Sequence, residues 1–227
     1  MTPLASGPIL IDQVYQRVLE AIEDGWLHPG QRIRQSEIAD TLGVSRQPVS
    51  HALHLLKRQG LVQECGRKGF AVVPIDPVRI RHLYQVRAAM DALAARLAAA
   101  SIAAGRAVAG ARGMLQDAFA AGSALAPDAP ISSLIRADVD FHRALYRLSD
   151  NPAIEDMLGP HWPHLTRSMA AVLDRPDYRA RAWAEHAAIM RLVLSGDAAG
   201  AAQAAHDHAE SAGRSTWARL TETAAAA

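Results

Sequence analysis

A chain of 227 residues has room for one large domain or two of ordinary size, and its formal charge of +1 excludes neither acidic nor basic partners. Hydrophobic residues make up 50% but aromatics only 5%, so alanine supplies much of the apolar content, and alanine favours closely packed helices. No apolar run approaches the roughly 18 residues of a membrane span, and the first residues lack the basic stretch and apolar core of a signal peptide. The single cysteine, Cys65, cannot form an intramolecular disulfide, so a protein of the reducing cytoplasm with no membrane partner is expected.

The first segment, Ile9 to about Gly25, carries Val14, Val18, Leu19 and Ile22 at helical spacing. His28-Pro29-Gly30 forms a turn. Ser36 is placed to cap a short helix over Glu37–Leu42, which Gly43 ends in the left-handed conformation. Ser45 starts the next helix, with Val49, Ala52, Leu53 and Leu56 on one stripe and Gly60 at its end. Strand-like Leu61–Glu64 and Gly69–Val73 then flank the turn Gly66-Arg67-Lys68-Gly69. Pro74 and Pro77 break the pattern, which places a domain boundary between residues 1–75 and 76–227.

Beyond Pro77 the chain reads as helix throughout. The expected helices are about Arg79–Ala104, Arg106–Gly122, Ile131–Ser149, Pro152–Leu173, Tyr178–Ser195 and Asp197–Thr223, with loops at Ser123–Pro130 and Asp174–Asp177. The fold class is therefore mainly α: an N-terminal winged helix-turn-helix and a C-terminal all-α helical bundle.

Two short helices around Gly43-Val44-Ser45 are the pattern of a helix-turn-helix, with Gly43 making the sharp turn and Val44 packing inward. The second helix presents Ser45, Arg46, Gln47 and Ser50 outward from its N-terminal turns, followed by His51. Arg46 suits bidentate contact with guanine, and Gln47 or His51 reaches neighbouring groups. The turn holding Arg67 and Lys68 reads as a wing for phosphates or the minor groove, and Arg34 precedes the first helix of the pair. From Gln31 to Phe70 seven basic residues face only Glu37, Asp40 and Glu64, a local surplus suited to DNA but also compatible with an ordinary solvated face. A winged helix that binds protein instead of DNA is the alternative.

The run Pro29-Gly30-Gln31-Arg32-Ile33, Glu37-Ile38-Ala39, Leu42 to Val49, Ala52-Leu53, Leu55-Leu56, Gly60-Leu61-Val62 and Gly69-Phe70 resembles the winged helix-turn-helix of GntR-type bacterial regulators. The resemblance covers about Ile9 to Val73. It departs at Ser50, where the family usually has Arg, so it carries DNA contact to Arg46 but not to position 50.

In the second half, Asp138 and His142 lie four apart on one helical face. His186 follows Glu185 in a later helix, and His208 lies near the middle of the last one. A carboxylate and three imidazoles can hold a divalent transition metal and leave open positions for water or a ligand. Among 10 histidines, such a pair equally fits a plain hydrogen bond. His206 and His208 point to nearly opposite faces, so at most one enters a shared pocket, and His161 and His164 beside prolines suit ordinary polar contacts.

Arg87 to Asp91, Asp138-x-x-Phe141-His142, Asn151, Glu185-His186 and Gly196-Asp197 with His208 are similar to the FCD-type ligand domain of the FadR-like GntR subgroup. That resemblance implies metal ligands Asp138, His142, His186 and His208, with zinc foremost and nickel, manganese or iron as alternatives. It also implies a small organic-acid effector whose carboxylate reaches the metal. A second branch of the subgroup lacks the metal and binds apolar or acyl ligands; the intact tetrad argues against that branch. Arg87 suits an effector carboxylate or a salt bridge with Asp91, and Arg143 and Asn151 are further candidates for the effector pocket.

The expected whole is a regulator, a repressor as is usual in the family. Two copies would pair through their helical halves on a near-palindromic double-stranded operator. A rival reading is a metal-dependent hydrolase or lyase with Glu185 as base, against which stands an N-terminal third that an enzyme does not need. Another is a DNA-binding dimer whose metal only stabilises the fold.

Overall fold

The computed structural model describes residues 8–66, 69–107, 109–126 and 128–226. The chain divides into two compact units, Met1–Ile75 and Asp76–Ala227. Among the described residues the first holds three helices and a small sheet, and the second is helical throughout.

In the first unit α1 (Pro8–Glu23) turns Val14, Val18, Leu19 and Ile22 inward. They meet α3 (Arg46–Arg58) at Val49, Ala52, Leu53 and Leu56, all fully buried. The apolar stripes read from the sequence are thus the core. Between them α2 (Gln35–Leu42) contributes Ile38 and Ala39. Its start differs from expectation. Arg34, not Ser36, occupies the N-cap, because the two-residue strand β1 (Arg32–Ile33) keeps the backbone extended up to Arg34 and leaves Ser36 inside the first turn. Gly43 adopts φ 65°, which a residue with a Cβ resists, and its amide closes α2 on Ala39 and Asp40. Ser45 sits at the N-cap of α3, yet its hydroxyl makes no bond to the helix.

Strands β2 (Val62–Cys65) and β3 (Gly69–Val72) form an antiparallel hairpin, and β1 joins the far side of β3. The register pairs Val62 with Val72 and Cys65 with Gly69, and on the other edge Arg32 with Ala71 and Ile33 with Phe70. Ile33 and Phe70 point into the core while Arg32 stays on the solvent side.

In the second unit α4 (Pro77–Ala103) begins with Asp76, whose carboxylate accepts from the Val78 amide at 2.9 Å, and with Pro77 at its first position. It packs along α10 (Ala198–Ala226). Small residues allow the close approach: Ala88, Ala94, Ala95, Ala98 and Ala99 on α4, and Ala201, Ala205, Ala209 and Ala212 on α10 are all buried. At Gly213 on α10 a Cβ would lie 2.6 Å from that of Tyr84, so glycine is what lets the two helices meet beside the site.

The helices α5 (Ala111–Ser123) and α6 (Ile131–Leu148) pack as a pair. The sequence extends α5 back to Arg106, but Gly105 and Gly110 are both left-handed and delay its start. The expected single helix over Pro152–Leu173 is broken into α7 (Pro152–Leu158), a 3-10 turn at Gly159–His161 and α8 (Trp162–Leu173). Pro160 and Pro163 remove two amide donors there and force the break. The last hairpin joins α9 (Pro176–Leu194) to α10 through Gly196.

Candidate metal centre and candidate nucleic-acid interface

Three helices of the second unit converge on one buried point. α6 supplies Asp138 and His142 one turn apart, α9 supplies His186 and α10 supplies His208. One ligand atom from each lies within 4.8 Å of the other three. The Nε2 atoms of His186 and His208 are 3.1 Å apart, His186 Nε2 is 3.6 Å from Asp138 Oδ1, and His142 Nε2 is 3.9 Å from Asp138 Oδ2. The imidazoles are buried, whereas the Asp138 side chain keeps 14% of its surface exposed, so the cluster has one accessible edge.

Carboxylates stand behind two of the rings. Glu185 Oε2 lies 2.7 Å from His208 Nδ1, and Asp91 Oδ2 from α4 lies 3.3 Å from His142 Nδ1. Glu185 holds the His208 ring proton on Nδ1 and turns its Nε2 lone pair toward the centre, whereas Asp91 approaches His142 Nδ1 without a hydrogen bond. The ring of His186 instead stacks on Phe141, with centroids 4.2 Å apart, and meets Trp183 edge-on. Its Nδ1 is buried without a hydrogen bond.

Burial and neighbouring charge disfavour the protonated form of two of the rings. Burial pushes the His142 pKa down and Arg87 adds to this, against the opposing pull of Asp91 and Asp138. His186 is driven well below the ordinary histidine value, by burial first and then by His208, His142 and Arg87. Neutral imidazoles are what a metal requires. Burial alone would raise Asp91, but His142 and Arg87 hold it at about 2. The residues fit a divalent transition metal: three nitrogens and one oxygen share a locus, and His142 Nε2 is buried with no hydrogen-bond partner.

Arg87 faces this cluster from α4. Its Nε pairs with Asp91 at 3.3 Å, and its Cζ lies over the rings of Trp162 and Tyr84, 5.0 and 5.5 Å from their centroids. Nη2 is 3.8 Å from Asp138 Oδ2 and is buried without a hydrogen bond. The Arg87–Asp91 salt bridge is therefore present, and the Nη2 edge faces Asp138 without a hydrogen bond. The Tyr146 hydroxyl donates to the other oxygen of Asp91.

The other effector candidates have local partners. Arg143 pairs with Glu155 at 3.2 Å on a half-exposed surface, and the Asn151 side chain caps α7 through the Ala153 amide. Among the described contacts neither meets the four ligand candidates. Sequence reasoning missed Tyr84, Tyr146 and Trp162. The two tyrosines carried a signal, since Tyr146 lies four residues after His142 and Tyr84 three before Arg87. His206 is exposed and His164 is buried with its Nε2 3.3 Å from Arg79.

In the first unit, α3 leaves Ser45, Arg46, Gln47 and His51 exposed at its N-terminal end, with Ser50 half-buried. Arg34 is exposed and already pairs with Glu37 at 2.8 Å. Arg67 and Lys68 lie outside the described residues.

The profile described as "Bacterial regulatory proteins, gntR family" matches residues 10–72, and that of the FCD domain matches residues 82–211. An HTH-type transcriptional regulator of Streptomyces ambofaciens is 29% identical over 81% of this chain and 75% of its own length. The HTH-type regulator YdhC of Bacillus subtilis is 32% identical over 37% of this chain, which spans 38% of that relative. The Nta operon transcriptional regulator of Aminobacter aminovorans is 32% identical over 54% of this chain and 56% of its own. Among solved structures, Escherichia coli McbR/YncC superposes with a TM-score of 0.76 at 18% identity, covering 92% of this chain and 95% of that one. A GntR regulator of Rhodococcus sp. RHA1 gives 0.70 at 22%, covering 91% and 96%. The two profiles take up both compact units, and the chain belongs to the GntR family of bacterial regulatory proteins, its helical unit being an FCD domain.

Proposed function

We propose that this transcriptional regulator is a cytoplasmic repressor whose hold on DNA is set by a small carboxylate bound beside a metal in the helical unit. The observation that carries the reading is the coincidence of four ligand atoms within 4.8 Å and a buried Arg87 whose Nη2 has no hydrogen-bond partner. A metal held by Asp138, His142, His186 and His208 would attract an anionic oxygen. Arg87 would take the rest of the carboxylate, since a guanidinium edge matches two oxygens. Contacts with the rings of Trp162 and Tyr84 hold that guanidinium in place before the ligand arrives.

In the DNA-binding unit, Ser45, Arg46 and Gln47 stand at the exposed start of α3, where a recognition helix meets base edges. Two copies would pair through their helical units, for which Val78 and Val86 are candidates: both are large apolar side chains left exposed on α4. The effector would act by binding more tightly to one of two dimer populations that differ in DNA affinity.

Bound metal per chain, measured on untagged protein purified without chelators, tests the centre beside a His186→Ala, His208→Ala double variant. About one metal in the parent and little in the variant supports it. Candidate carboxylates are then scored by release of DNA from the loaded protein. Metal in the parent with no response to any carboxylate would favour a structural ion; no metal after reconstitution would remove the centre.

A further inference from the structure

We infer that Arg32, on β1, is a DNA-phosphate contact at the root of the wing. The sequence places it in the Pro29–Ile33 run but assigns it no DNA contact. β1 is only two residues long, and its pairing with β3 sets Arg32 opposite Ala71 on the solvent side. From there the guanidinium reaches across the hairpin turn. A Cβ at Gly66 would lie 3.0 Å from Arg32 Nη2, and one at Gly69 would lie 3.5 Å from its Nε. The side chain therefore lies alongside Gly66 and Gly69, at the paired ends of the hairpin strands.

Its charge is also uncommitted. In this unit Arg17 pairs with Glu20, Arg34 with Glu37 and Lys57 with Glu64. Arg32, Arg46 and Arg58 make no ion pair among the described residues. Of these, Arg46 begins the recognition helix and Arg58 ends it, while Arg32 is the one placed at the wing. An exposed, unneutralised guanidinium beside a wing gains most from a phosphate, which needs no base identity.

The test uses the full-length protein and a mixed-sequence DNA duplex, with affinity followed from low to moderate salt. Each phosphate contact contributes about 0.9 to the slope of log K against log salt. Arg32→Gln is expected to lower that slope by about one per bound protomer, about two for a dimer, at unchanged melting temperature, and Arg32→Lys to restore most of it. An unchanged slope in Arg32→Gln overturns the assignment. So does a loss of binding accompanied by a lower melting temperature, because Arg32 would then be packing the wing rather than touching DNA.

Discussion

Glu185 and His208 are 23 residues apart in sequence, yet Glu185 Oε2 lies 2.7 Å from the Nδ1 of His208 while Nε2 of the same ring faces the metal locus. The carboxylate fixes which nitrogen carries the proton and makes the other a stronger donor. Glu185→Gln keeps the shape and removes the charge. Metal affinity is expected to fall about 10- to 100-fold, as is usual when such an outer partner is lost. Competition with a chromogenic chelator measures it; equal affinity in variant and parent would mean the carboxylate only decorates the site.

Asp91 has a heavier role, because it faces both His142 and Arg87 and accepts from Tyr146, all buried. Asp91→Ala would strand the Arg87 guanidinium inside the unit. Breaking one side of a buried pair costs about 3–5 kcal/mol, so the melting temperature of the helical unit should drop well beyond the effect of Glu185→Gln. Asp91→Asn retains hydrogen bonding without charge and should fall between them. Calorimetry of the metal-free proteins separates this stability effect from any loss of metal.

The contrast between these carboxylates shows what the sequence could reveal. The stripes of α1 and α3 and the Gly43 turn follow from local periodicity, and they are the core as expected. The Asp138–His142 pair is also local. Helical placement only nominates His186 and His208 among 10 histidines, and the resemblance strengthens that reading; the structure brings all four together. Of the two readings of Arg87, the salt bridge with Asp91 is present through Nε, while Nη2 faces Asp138 at 3.8 Å without a hydrogen bond. Arg143 engages Glu155 on another helix, a pairing that no spacing rule encodes. β1 is too short to show any alternation, and so the sequence, though it counts Arg32 among the basic residues, does not place its side chain on the solvent face.

Gly122 gives a steric test from the other side of the centre. A Cβ there would overlap the outer ring of Trp183, whose inner face meets His186 edge-on at 4.8 Å. Gly122→Ala must push the indole toward His186 or out of its site. Overpacking of this kind costs about 1–3 kcal/mol, against the small gain in helix propensity from alanine. A lower melting temperature together with weaker metal binding is the expected pair of results. Unchanged values for both would show that Trp183 moves freely and does not hold the ring.

Acid should unload this unit in a defined order. Burial holds His142 and His186 below their ordinary value of 6.5, Arg87 adding to it at His142 and the other imidazoles at His186. In the unfolded chain both titrate near that ordinary value. As pH falls through it, the unfolded state takes up protons that the folded state refuses, so stability rises with pH across this window. The contribution is complete above about 6.5 and is lost below it. Asp91 acts in the same sense further down, between its ordinary 3.8 and the folded value of about 2. Metal-free protein should therefore melt at a lower temperature near pH 5 than near pH 7.5, and a His142→Gln, His186→Gln variant should lose most of that difference. Bound metal should steepen the dependence, since protons and metal compete for the same nitrogens. Thermal scans of parent and variant across this range check the claim; equal slopes in both would place the titrating groups elsewhere.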